Sequence, residues 1–263
     1  MTTVLKGLTE SLDGYTGLST DTDNAKQFLQ GDLWKDLDFG LAAVNPLYGS
    51  FALDVWKNGV GTFTGTQATA GTGTLIAGPA NFGSLLEIDS NSTTGAQGYQ
   101  VQFTGHGRYV QDGQTLYFDA MLRAHDIATG PEFFAGFGTI DTTVISGSAI
   151  SPTKWIGFYI VDDGKGVTFG MDDDSAVATH SADVYTLVDA DVTTDGSEWV
   201  HLGFAWTAGQ SCRVYVNGVD INYDGGVAND PVGGFMVPTL VCQSSGTTDP
   251  LIRVAHTAWG AKL

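Results

Sequence analysis

An antiparallel all-β domain, a sandwich or a barrel, is the fold class this sequence predicts, on three observations. Short alternating apolar runs follow one another from Phe51 to the C-terminus. Turn clusters such as Gln111–Gln114 (QDGQ) and Val161–Gly166 (VDDGKG) separate them. No helical stretch stands between them, which rules out a parallel sheet built from βαβ units. Glycine supplies 36 of 263 residues, near twice the usual share of about 7 %. It follows no collagen-like or propeller-length period, so the glycines read as turn and bulge positions.

In chain order the predicted strands are Phe51–Trp56, Ser84–Ile88, Tyr99–Thr104, Thr115–His125, Glu132–Ile140 and Trp155–Val161. They continue with Val167–Met171, Trp199–Trp206, Cys212–Val216, Val219–Tyr223, Phe235–Cys242 and Ile252–Trp259. In Thr115–His125 the residues Leu116, Phe118, Ala120, Leu122 and Ala124 share one face and point inward. Tyr117, Asp119, Met121 and Arg123 point outward. Trp155–Val161 (WIGFYIV) is apolar on both faces and suits a central strand covered on each side.

The sharpest local signal is the hairpin around Asn217-Gly218, a pair suited to a two-residue turn with positive φ at both central residues. The turn fixes the register. Val216 opposes Val219, Val214 opposes Ile221 and Cys212 opposes Tyr223 on the inward face, with Arg213, Tyr215, Asp220 and Asn222 outward. A slip of one residue would expose the whole inward set. The preceding strand extends the pattern with Val200, Leu202, Phe204 and Trp206.

Residues 1–50 read differently, as an irregular N-terminal arm before a sandwich domain at 51–263. Two short helical stretches, Asn24–Gln30 and Leu33–Leu41, are the only regular elements expected there, the first capped by Thr22 or Asp23. The arm is too poor in apolar residues to fold alone, so Leu5, Leu8, Leu12, Tyr15 and Leu18 are expected to dock it on the chain's own sandwich or on a neighbouring subunit.

With 42 % hydrophobic residues the chain can fill a substantial core, while 29 acids against 11 bases give a formal net charge of −18. Such a balance argues against nucleic acid and against an anionic membrane surface. The N-terminus carries no secretory h-region and no apolar run nears the roughly 18 residues that span a bilayer. The two cysteines, Cys212 and Cys242, fall in predicted strands and are expected as buried free thiols.

Few candidates for chemistry survive inspection. Leu85–Ser92 (LLEIDSNS) resembles the E-x-D-x-E strand of laminarinase-type glycoside hydrolases, in which two carboxylates about 5–5.5 Å apart share the work of retaining hydrolysis. Glu87 and Asp89 match, but the acid/base position falls on Asn91, which cannot shuttle a proton. Glu87 and Asp89 are therefore expected on a solvated strand edge, and no catalytic residue is expected. Val188–Glu198 fails the EF-hand test because Thr193 and Thr194 stand where an oxygen ligand and glycine are needed. Asp189, Asp191 and Asp195 remain as a looser calcium candidate, with solvated acidic turns as the default; no other cofactor is expected. The five histidines lack zinc spacing, no G-x-S-x-G elbow occurs, and Gly136–Asp141 (GFGTID) lacks the third glycine of a dinucleotide loop. Trp206 falls on an inward face, so the tryptophans read as core rather than as a sugar platform.

The stretch Glu198–Ile221 resembles a motif of concanavalin A-like and laminin-G-like domains, through Trp199, His201, Phe204, Val214, Tyr215, Val216, Asn217 and Gly218. The resemblance implies an antiparallel jelly-roll β-sandwich. It identifies a fold and no ligand, since that fold hosts lectins, glucanases, adhesion domains and viral proteins. The chain also resembles jelly-roll virion proteins of tailed bacteriophages, where such a domain follows an irregular N-terminal segment. That likeness implies a non-enzymatic capsid decoration protein on the virion exterior, assembled in the host cytoplasm. Its partners would be the major capsid protein lattice and two further copies in a homotrimer. The alternative is a carbohydrate-binding, lectin-like module, and a glycoside hydrolase stands third.

Overall fold

A computed structural model describes residues 51–55, 64–68, 71–77, 84–104, 107–146, 148–161, 164–174, 179–188, 199–223 and 228–262. The arm with Leu5, Leu8, Leu12, Tyr15 and Leu18, and the calcium candidates Asp189, Asp191 and Asp195, lie outside the described residues.

The chain forms β1 (Phe51–Val55), β2 (Thr64–Ala68), β3 (Thr72–Ala77), β4 (Ser84–Asp89), β5 (Gly98–Gln102) and β6 (Arg108–Tyr109). Next come β7 (Thr115–His125), β8 (Pro131–Thr139), β9 (Ile145–Ser146), β10 (Ala149–Ile150), β11 (Trp155–Ile160) and β12 (Gly166–Asp172). The last are β13 (Thr179–Thr186), β14 (Val200–Thr207), β15 (Ser211–Val216), β16 (Val219–Asp220), β17 (Phe235–Ser244) and β18 (Leu251–Lys262). The β7 sheet runs in the order β16-β15-β14-β7-β18-β4-β3, with β1 also on β18. The β8 sheet runs β13-β12-β11-β8-β17-β5-β2, with β6 also on β17. All pairings are antiparallel, and β9 and β10 form a small separate hairpin.

The two sheets close on one large apolar core, to which β7 gives Leu116, Phe118, Ala120, Leu122 and Ala124, the inward set expected from its alternation. Facing them, β8 gives Phe133, Ala135 and Phe137. Phe204 sits at the centre, stacked on Phe118 at 5.6 Å and tilted against Phe169 at 5.3 Å between ring centroids. Offset and edge contacts of this kind stabilise each pair by about 1 kcal/mol beyond area burial. Cys212 and Cys242 are free and belong to opposite sheets, and burial pushes both thiols up.

The hairpin has the predicted register, with Val216 opposite Val219 and Tyr215 opposite Asp220. Asn217 and Gly218 adopt φ of 51° and 78°, and Asn217 also ties the turn to β14, its Oδ1 accepting the His201 N–H at 2.9 Å. Three expectations about it need correction. The second strand ends at Asp220, because Asn222 takes φ of 52° and its N–H turns back onto Asp220 Oδ1 at 2.9 Å. Val219 is 65 % exposed, since β16 is the edge of the sheet. Tyr215 is buried although it points outward, with the Arg213 guanidinium 5.3 Å from its ring centre.

Five described strands or strand pairs went unforeseen: β2, β3, β6, β13 and the β9–β10 hairpin. Of these, β2, β3 and β13 end their sheets and are built from residues such as TGTQA and THSADVYT, without an aliphatic period. An edge strand has one partner and packs less of its surface, so it needs less apolar patterning.

Candidate functional site

The outer face of the β8 sheet is where this fold departs from a bare sandwich. Residues 140–153, carrying β9 and β10, fold back over it and bury a second cluster of Phe134, Val144, Ile145, Trp155 and Val241. The tight approach of β8 and β11 beneath it requires Gly136 and Gly157, which pair directly; a Cβ on Gly136 would lie 2.2 Å from the Ile156 carbonyl oxygen. Two glutamines on β5 stitch the cover down. Gln100 Nε2 donates to the Asp141 carbonyl at 2.6 Å while its Oε1 accepts the Val144 N–H at 2.9 Å. Gln102 Oε1 accepts the Asp141 N–H at 3.2 Å. Further along, Gln243 donates to the buried Glu132 carboxylate, which Ser148 Oγ also approaches at 3.4 Å. These bonds satisfy polar groups that would otherwise be costly to bury.

Beyond the cover, one row of that outer face stays open. Tyr109 on β6 pairs with Phe235 on β17, so the two rings leave the sheet on the same side. The ladder between β17 and β8 ends at Met236 opposite Thr139, which places Ile140 one step further in the row of Phe235. These three are 59 %, 46 % and 55 % exposed, and make up three of the five exposed large hydrophobic residues among those described. Side chains scattered singly need no explanation, but a contiguous apolar row marks a binding surface.

The row is rigidly held. The far end of the Phe235 ring comes up against Gly107, where an added Cβ would come within 2.1 Å of it. Val110, fully buried, exchanges backbone hydrogen bonds with the 233–234 turn, its N–H to Gly234 O at 3.1 Å and its carbonyl from Gly233 N at 2.8 Å. Lys154 Nζ donates to the Val232 carbonyl at 2.9 Å, and the Asp230 carboxylate accepts the Gly209 N–H. The Lys154 stem thus lies against Gly234, next to Phe235 in the chain.

The hydrolase-like motif has a different fate. Glu87 and Asp89 share a face of β4, which lies between β3 and β18, so they are half-buried sheet positions rather than the solvated edge expected. Glu87 is spent in an ion pair, its Oε2 2.8 Å from Arg253 Nε. Asp89 Oδ1 accepts the Asn91 N–H at 2.8 Å, and Asn91 leaves the strand at φ of 53°. Burial raises the Asp89 carboxyl above its ordinary value, and Asp249, Glu87 and Asp126 add to the rise, while the Asn91 bond opposes it. Asp249 itself caps the turn, accepting from Ser90 Oγ and Ser92 N at 2.7 Å each. The third position thus lacks a titratable group and is turned away from the strand. Among the described residues no cluster of three or more His, Cys, Asp or Glu is placed to hold a metal ion.

The sequence reading looked for an aromatic platform among the tryptophans, and Trp155, Trp206 and Trp259 are indeed core at 3 %, 0 % and 3 % exposure. It missed Tyr109, Phe235 and Ile140. Each sits within two or three residues of a glycine at a strand end, a local signal that is readable, but their alignment across three strands is not.

Two multi-stranded antiparallel sheets packed over one core, with a long insert on an outer face, define a lectin-type, concanavalin A-like jelly-roll sandwich. No family model and no curated protein sequence matches the chain. Among solved structures it is similar to the carbohydrate recognition domain of Emp47p, at 10 % identity and a TM-score of 0.51 over 83 % of this chain and 96 % of that one. It is likewise similar to lectin I-B4 of Griffonia simplicifolia in its metal-free form, at 6 % identity and a TM-score of 0.51 over 81 % and 100 % of the two chains. The Lotus tetragonolobus seed lectin follows at 8 % identity and 0.50 over 81 % and 98 %. At such identities the likeness shows the fold, and the function has to be argued from the surface.

Proposed function

We propose that this chain is a non-catalytic carbohydrate-binding module that seats a sugar ring on Tyr109 and Phe235. The observation that carries the reading is the open apolar row of Tyr109, Phe235 and Ile140 on a sheet face that the 140–153 insert covers in part. A pyranose has one apolar C–H face and a hydroxyl rim. An aromatic ring offers a complementary negative face, and two rings fixed side by side give a platform of the right kind. Beside it, Lys154, whose stem lies against Gly234, supplies a polar group to orient a ligand. That similar folds belong to a carbohydrate recognition domain and to lectins supports this reading over capsid decoration. The Glu87–Arg253 ion pair and the position of Asn91 weigh against hydrolysis.

A glycan array probed with the full chain, followed by calorimetry on the best ligand, tests the proposal. Tyr109→Ala and Phe235→Ala are each expected to weaken binding about tenfold, the equivalent of about 1.4 kcal/mol, while leaving the melting temperature nearly unchanged because both side chains are exposed. Absence of any glycan ligand, or full binding by the double variant, would overturn it.

A further inference from the structure

The open row on the β8 sheet has a direction as well as a composition. Its members lie on successive strands, Ile140 just past the end of β8, Phe235 on β17 and Tyr109 on β6. The row therefore crosses the strands, and its two strand spacings of roughly 4.8 Å each make it about 10 Å long. One long side is walled. Val237, the next outward position on β17, is fully buried. Its partner on β8 is Gly138, over which Pro152 of the insert stands, with Cγ 3.4 Å from where an added Cβ would lie. Both ends are exposed, at Ile140 and at Tyr109.

The two rings also serve different places. Phe235 reaches toward Gly107, whereas the Tyr109 hydroxyl lies 3.9 Å from where a Cβ on Gly233 would sit. These glycines precede Tyr109 and Phe235 by two residues each on antiparallel strands, so the rings lean to opposite sides of their pair and present two surfaces. Polar neighbours gather at the Ile140 end. The Thr139 and Thr153 hydroxyls lie 3.5 Å apart there, and Ser151 Oγ donates to the Asp141 carboxylate at 3.2 Å. Arg108, the cation next to Tyr109, falls on the other side of β6, opposite the buried Met236. Lys154 beside the row is one positive charge against Asp141 and a net charge of −18, a balance that repels an anionic polymer.

Resting on the carbohydrate-binding reading, we infer that the ligand is a linear, uncharged glycan laid across β8, β17 and β6, with at least two consecutive sugars on the row. A single sugar covers one ring and leaves the rest of the row in water. A chain buries the row along its length, and each further linked sugar binds without a fresh loss of translational freedom. The wall at Pro152 and Val237 keeps the chain in line with the row and rejects branches on that side.

Calorimetry of the full chain with cello-, manno- and xylo-oligosaccharides of one to six units, and with oligogalacturonates as the anionic counterpart, tests the inference. In at least one neutral series affinity is expected to rise about tenfold from the monosaccharide to the trisaccharide and then to level off. Ile140→Ser is expected to weaken the trisaccharide more than the monosaccharide. Equal affinity for the two lengths, tighter binding of oligogalacturonates, or glycan-array ligands that are all branched or terminal sugars would each overturn the inference and leave the carbohydrate-binding reading standing. Absence of any glycan ligand removes both.

Discussion

The two outer faces of this sandwich carry similar alternating sequences and are closed by different means. On the β8 face the cover is the 140–153 insert, held down mainly by glutamine amides of β5 and β17, with Ser148 reaching the Glu132 carboxylate. On the β7 face the withdrawn groups include the charged or titratable Asp119, Arg123 and His125, and among the described residues Trp199 lays its ring 5.0 Å from the Arg123 guanidinium carbon. The difference teaches that alternation sorts side chains between two faces but does not say which face meets water. A polar outward residue is solvated only when nothing folds back on it.

The largest effect that probes this contrast is expected on the β8 face. Trp155 is 3 % exposed and packs edge-on against Phe134 at 6.1 Å and Tyr159 at 5.2 Å. Trp155→Ala is expected to lower unfolding free energy by about 4 kcal/mol, as truncations of large buried aromatics do. Urea titration measures it, and a loss below about 1 kcal/mol would mean that the insert is a loosely held flap rather than part of the core.

A smaller loss separates packing from hydrogen bonding in the same cover. Gln100→Leu keeps bulk but strands the Asp141 carbonyl and the buried Val144 N–H. The expected cost is about 2 kcal/mol, read from the same titration. Faster amide exchange at Val144 than in the wild type would localise it.

How much of this was readable in advance follows from range. Central strands announced themselves: β7 runs from Thr115 to His125 as predicted, and β11, apolar on both sides, is covered by the core on one face and the Trp155 cluster on the other. The Asn217-Gly218 turn fixed its register by local backbone chemistry. Edge strands did not, because Thr64–Ala68 and Thr179–Thr186 need no hydrophobic face. The candidate site was the least legible part. Tyr109, Phe235 and Ile140 meet through pairings that span more than ninety residues, and no periodicity encodes such a meeting.

The subtlest way to sharpen the contrast lies at the β4 end of the β7 sheet. Burial, with Asp249, Glu87 and Asp126 nearby, raises the Asp89 carboxyl above its ordinary 3.8. Once the pH passes 3.8 the unfolded chain releases this proton more readily than the folded one, so the folded state binds more protons and stability falls as pH rises through that interval. Asp89→Asn removes the charge while keeping an oxygen for the Asn91 N–H. The variant is expected to melt higher than wild type at neutral pH, with the advantage fading as the pH drops below 3.8, where the wild-type carboxyl becomes protonated in both states. Melting curves across that range measure it. A variant that melts lower than wild type at neutral pH would show that the Asp89 charge is held by favourable partners, and would place this corner with the hydrogen-bonded β8 face instead.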